Sequence, residues 1–170
     1  VFDQQVDNVK LPITIQPSSG SFRYLVNLYI NKSFKNPKWN LGFYGSFEYA
    51  KLIDSENFYY KYGNVYLFSL IGSYKVLEKM NLGLEIRNEN RAKASRENEQ
   101  VVESSGYNIV YTIPHLSYTI FSNWLLAVNA ELPFYRYYNG IQLGNKFAVS
   151  ASVSFKINMK NSIAVEVDNN

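Results

Sequence analysis

Glu85, Arg87, Glu89 and Arg91 alternate in sign at every second position of one short stretch. On a β-strand that spacing puts all four on one face, because successive side chains point to opposite sides. Such a face can select or retain a solute. It can equally be a salt-bridged interior that plugs and stiffens a narrow barrel, since buried charges need partners. His115 and Ser117 also share a strand face, and some barrel-shaped lipid hydrolases and acyltransferases work with His and Ser. Next-but-one neighbours on a strand lie about 6.5 Å apart, which disfavours a direct Ser–His bond. His115 is the single histidine and cysteine is absent, which argues against histidine-rich metal sites and removes thiolate zinc, disulfides and cysteine nucleophiles. No catalytic residue, metal or cofactor is expected, and the chain does not read as an enzyme.

The elements that would carry these residues all show the two-residue period of strands. Lys146 to Ile157 is the clearest: Phe147, Val149, Ala151, Val153, Phe155 and Ile157 face one way, with Ala148, Ser150, Ser152, Ser154 and Lys156 opposite. The unbroken alternation over about twelve residues exceeds the usual soluble strand of five or six and suits the nine to eleven of an oblique bilayer crossing. Similar patterns predict strands at Phe22 to Phe34, Asn40 to about Ile53, Val65 to Leu77, Leu82 to Arg91, Tyr107 to Ile120 and Trp124 to Phe134. A weaker edge strand is expected at residues 9–17, where Pro12 removes a ladder donor. A slip in the alternation near Pro114 suggests a bulge there.

The connections sort by length. Those after Phe34, Leu77 and Ile120 are short, and those after Ile53, Ala94 and Tyr135 are long. Strict alternation places all the short turns at one end of an up-and-down sheet, as in outer-membrane barrels. The short Ser18–Gly20 turn departs from that rule. The apolar faces carry no charge across their middles; Lys32 and Lys51 lie near strand ends, where long side chains snorkel. The opposite faces hold Arg23, Glu48, Lys75, Glu85, Arg87, Glu89, Arg91, Glu131 and Lys156.

In a soluble lipocalin-like barrel the polar faces would meet water and the apolar ones fill the core. Eight strands filled with Phe, Tyr and Leu would overcrowd so small an interior. The expectation is therefore the inverted arrangement: all-β, an antiparallel up-and-down transmembrane β-barrel of about seven or eight strands over residues 1–158, followed by a tail at 159–170. Fifteen Tyr, eleven Phe and two Trp suit aromatic girdles at a lipid interface. The net charge of +3 is spread without a basic run, so no nucleic-acid partner is expected. Tyr59, Tyr60 and Tyr62, with Tyr135, Tyr137 and Tyr138, would decorate two long loops on the outer side. They read as part of an interfacial belt, or as a patch that stacks on sugars or aromatic solutes.

Four motifs bear on a family: Ser18-Ser19-Gly20-Ser21-Phe22, Ser104-Ser105-Gly106-Tyr107, Pro114-His115-Leu116-Ser117-Tyr118, and LPFYRYYNGIQLGNKFAVSASVSF at 132–155. Together they make the chain resemble the outer-membrane "transporter" family associated with the meta-pathway of phenol degradation. The resemblance covers most of residues 18–157 but only the C-terminal half of such a protein. Family members begin with further strands, including a Gly-Asp-rich segment not found here, and have Gly where His115 stands. The chain is then either a minimal relative or part of a larger barrel. The resemblance implies a bacterial outer-membrane location, lipid contact and inward movement of a small hydrophobic solute. The expected function is passage or binding of such a solute in a lumen lined by Arg23, Glu48, Glu85, Arg87, Glu89, Arg91 and Glu131. The alternatives are a barrel that transports nothing and joins other envelope proteins, or a soluble lipocalin-like binder.

Overall fold

The computed structural model describes residues 5–6, 9–10, 21–34, 38–55, 58–96, 99–121 and 123–157. Seven strands dominate: β1 (Arg23–Ser33), β2 (Trp39–Ala50), β3 (Val65–Leu77), β4 (Met80–Arg91), β5 (Tyr107–Phe121), β6 (Trp124–Tyr138) and β7 (Ala148–Phe155). Each pairs antiparallel with its neighbour in the chain, giving one curled, half-barrel sheet. Aromatic and β-branched residues recur along these runs, and such side chains pack well on a pleated surface.

Register carries the two-residue pattern from strand to strand. Ile30 faces Phe43, Phe43 faces Leu70, and Leu70 faces Ile86, so the apolar residues form one surface. On the opposite surface Ser46 lies across from Leu67, Leu67 from Glu89, and Glu89 from Ile109. This second face is concave and holds the most buried side chains of the sheet, Ala50, Ser69, Ile113 and Ile109. The apolar face is convex and open. Leu70 is 64% exposed, with Phe68, Leu84, Leu132 and Val149 exposed on the same face.

The alternation of connection lengths holds. Two residues separate β3 from β4, whereas long connections follow β2, β4 and β6. Two of these long connections are not plain loops. Ile53–Ser55, Phe58–Lys61, Ser95–Arg96 and Gln100–Val101 form a four-stranded sheet at the long-connection end. Gly63 permits its close approach: a Cβ there would lie 1.7 Å from the Ala92 carbonyl oxygen. The Ala92 amide in turn donates to the Asn64 carbonyl at 2.9 Å.

Several expectations shift. The bulge falls on β6, where Val110 faces Tyr135 and Tyr111 faces Pro133, leaving Phe134 as the extra residue. Pro133, lacking a donor, is the local cause; Pro114 sits in regular register with Leu84. The closing strand β7 spans eight residues rather than twelve, and both of its faces are exposed, with nothing among the described residues pairing to its outer edge. Tyr137 and Tyr138 end β6 opposite Asn108 and Tyr107, so they belong to the sheet and not to a loop. At the chain's start, Gln5–Val6 pairs with Val9–Lys10 as a short hairpin. The rest of the 9–17 strand, the Ser18–Gly20 turn and the 159–170 tail lie outside the described residues.

Candidate functional site

Strands β4, β5 and β6 bring the charged residues together on the concave face. Glu85, Arg87, Glu89 and Arg91 do share it, opposite Ile113, Tyr111, Ile109 and Tyr107 of β5. They do not bridge to one another along the strand, as a simple ladder of alternating sign would. Arg87 reaches across to Glu131 on β6 and lies 5.1 Å from the Tyr111 ring centroid. Glu89 accepts a hydrogen bond from the Tyr107 hydroxyl at 2.5 Å, and Arg91 sits over the same ring at 5.5 Å. Neither carboxylate's partner stands directly opposite it in register: Tyr107 is diagonal to Glu89, and Arg87 reaches Glu131 over β5, across two strand spacings, about 10 Å. The contacts run between strands because these long side chains span that distance. At the sheet's far side Arg23 and Glu48 form a 2.8 Å ion pair across β1 and β2. The expected lining residues thus divide into an isolated Arg23–Glu48 pair and a central cluster on β4 and β6.

Glu85 is held differently. Its Oε1 accepts from the Ser69 hydroxyl at 2.7 Å, and Ser69 is 1% exposed. Its Oε2 lies 3.3 Å from His115 Nε2, although that ring nitrogen has no aligned hydrogen-bond partner. Ser117, placed one step along the same face, meets Asn81 Nδ2 at 3.4 Å. His115 and Ser117 therefore turn to different neighbours.

A cavity of about 220 Å³ opens beside them, lined by Ile71, Ser73, Asn81, Gly83, Glu85, His115 and Ser117 among others. Gly83 keeps it clear, since a Cβ there would meet the Gly72 carbonyl oxygen at 3.3 Å and His115 Cβ at 3.4 Å. Among the described residues no group of three or more His, Cys, Asp and Glu could hold a metal ion.

At the long-connection end, Tyr59 and Tyr60 lie in the small sheet opposite Asp54 and Ile53. Tyr60 packs edge-on against Tyr62 at 4.9 Å, and Arg23 lies 5.1 Å from the Tyr62 centroid. Burial raises the phenol pKa of both tyrosines above its ordinary 10.0, keeping them neutral hydrogen-bonding groups. They form half-buried packing beside the sheet rather than a free aromatic patch.

Sequence reasoning missed Ser69, Tyr107 and Tyr111 as partners of the charged residues, and Asn81 as the partner of Ser117. Each sits at an alternating position of a strand neighbouring β4 or β5, so the signal was present once the strand order was known.

No protein-family model matches the chain, and no curated protein matches it.

Proposed function

We propose that this chain forms part of the wall of a bacterial outer-membrane β-barrel whose concave face lines a passage for a small solute. The observation that carries the reading is the banded convex face. Its middle is Leu, Ile, Val and Phe, and its two ends are ringed by aromatics. Trp39 packs on Tyr74 at 4.6 Å and Trp124 on Phe155 at 4.9 Å near the short turns. Tyr24 and Tyr49, with Phe47 and Tyr66 at 5.0 Å, stand at the other end. From Trp39 to Tyr49 is about 33 Å along the strand; tilted at about 45° this spans about 23 Å, close to the roughly 25 Å apolar band of outer-membrane barrels.

Solvent exposure of so much contiguous apolar surface is costly in water and favourable against lipid. The curl puts the charges inside, where they would meet solute. The resemblance to the phenol meta-pathway family points the same way, towards a small hydrophobic compound. Among the described residues the outer edges of β1 and β7 have no pairing partner, and in a bilayer unpaired backbone costs several kcal/mol per group. Further strands would complete the wall.

The concave ion pairs also favour a second reading, a scaffold barrel that carries nothing and joins an envelope assembly. Single-channel recording in planar bilayers separates the two. Replacing Arg87 and Glu131 together with Gln keeps the pair's net charge while removing its field. A passage lined by this pair changes ion selectivity or solute block. Unchanged conductance with lowered stability would leave only the scaffold. Full solubility without detergent would sink the membrane reading in favour of a lipocalin-like binder.

A further inference from the structure

The other acids on the concave strands have settled partners: Glu48 has Arg23, Glu131 has Arg87, and Glu89 has the Tyr107 hydroxyl. Glu85 differs. Its carboxylate is 13% exposed and borders the 220 Å³ cavity, yet its neighbours are the neutral Ser69 hydroxyl and a histidine that is cationic only when protonated. The nearest guanidinium, Arg87, is turned towards Glu131. Lys75 shares the face but stands opposite Asn81, so it is offset from Glu85 by four residues, about 13 Å along the strand. A half-buried carboxylate without a fixed counter-charge is an unfavourable arrangement that a cation would relieve.

The remaining polar lining includes groups able to accept: the Ser73 and Ser117 hydroxyls and the Asn81 amide oxygen. Asn81 donates its Nδ2–H to Ser117 Oγ at 3.4 Å, and His115 stands 3.3 Å from Glu85. Ser73, Ser117 and Asn81 bring oxygen atoms around the same space, while Ile71 supplies an apolar wall. An alkylammonium group has three N–H donors and no acceptor, so it matches one carboxylate and two neutral oxygens. The volume is below the roughly 300 Å³ lower bound of drug-sized pockets, which restricts the ligand to a few heavy atoms.

We propose that this cavity binds a small primary amine in its ammonium form, with Glu85 as counter-ion and the alkyl stem against Ile71. The proposal rests on the concave face being open to solute, and it names the chemical class that this part of the face retains.

Ligand-observed NMR on the purified protein in detergent, with n-butylammonium and n-butanol as probes of one shape, tests it. Binding of n-butylammonium at least tenfold tighter than n-butanol is expected. Glu85→Gln should remove that preference while the β-sheet circular dichroism is unchanged. Gly83→Ala, which crowds the cavity without touching the charge, should weaken n-butylammonium several-fold. Glu78→Gln, on the exposed turn between β3 and β4, should leave it unaltered. Equal affinity for the two probes, no binding of either, or a preference that survives Glu85→Gln overturns the proposal. None of these readings depends on conductance, so a barrel that passes no solute and a cavity that binds no amine are recognised separately.

Discussion

The side chain that most concentrates the chemistry of the concave face is Ser69. It is almost wholly buried, and among the described residues its hydroxyl is the one aligned donor to Glu85. Removing it leaves a half-buried carboxylate short of a hydrogen bond, and such a loss costs about 1–3 kcal/mol. Ser69→Ala is therefore expected to lower unfolding stability by about 1–2 kcal/mol, measured as a shift in urea midpoint by tryptophan fluorescence. Ser150 makes a useful contrast. It donates to Asn129 Oδ1 at 2.5 Å but lies on an exposed edge strand, where water replaces the lost partner. Ser150→Ala should shift the midpoint by no more than about 0.5 kcal/mol. An equal effect of the two would mean that burial around Glu85 contributes nothing.

At the scale of elements, two contrasts matter. The first concerns how the long connections dock. Gly63 leaves no room for a Cβ beside Ala92, whereas Gly72 on β3 has its nearest neighbour at 3.7 Å, ordinary contact. Gly63→Ala must push the small sheet away and is expected to cost about 1–3 kcal/mol, while Gly72→Ala should be close to neutral. Limited proteolysis near residues 58–61 and 95–96 checks this, since an undocked sheet is cleaved faster. The second contrast concerns the two faces of β3. Leu70→Arg places a charge in the middle of the convex face. Against lipid this costs about 2–4 kcal/mol; against water, an exposed surface change costs at most about 0.5 kcal/mol. Refolding into lipid vesicles, followed by a urea titration, reads the difference. A near-neutral result would remove the strongest support for the membrane reading.

Seven alternating strands impose a constraint on the molecule as a whole. β1 and β7, first and last of the seven described strands, run in the same direction, and among the described residues their outer edges are unpaired. A fully antiparallel closed wall consequently requires an odd number of additional strands. A second copy in the same membrane orientation does not meet the requirement, because its own β1 would lie parallel to β7. The chain has no cysteine, so edge proximity can be read against a clean background. Leu28→Cys combined with Val153→Cys should form no intramolecular disulfide under mild oxidation, as judged by gel mobility and intact mass. A rapid internal crosslink would show that the seven strands close on themselves through a parallel seam.

The sequence by itself determined the all-β class, the boundaries of most strands to within two or three residues, the alternation of short and long connections, and the sharing of one face by Glu85, Arg87, Glu89 and Arg91. These are consequences of a two-residue period that each strand shows alone. What the tertiary structure decided is everything that depends on neighbours. The bulge at Phe134, the sheet built from residues 53–61 and 95–101, and the pairing of Arg87 with Glu131 follow from which strands are adjacent and in what register. The unlike treatment of Glu85 and Glu89 has the same origin: one meets Ser69 and His115, the other Tyr107. A carboxylate's partner lies on another strand, diagonal to it or one strand further off, and no spacing along a single chain reports which strand that is.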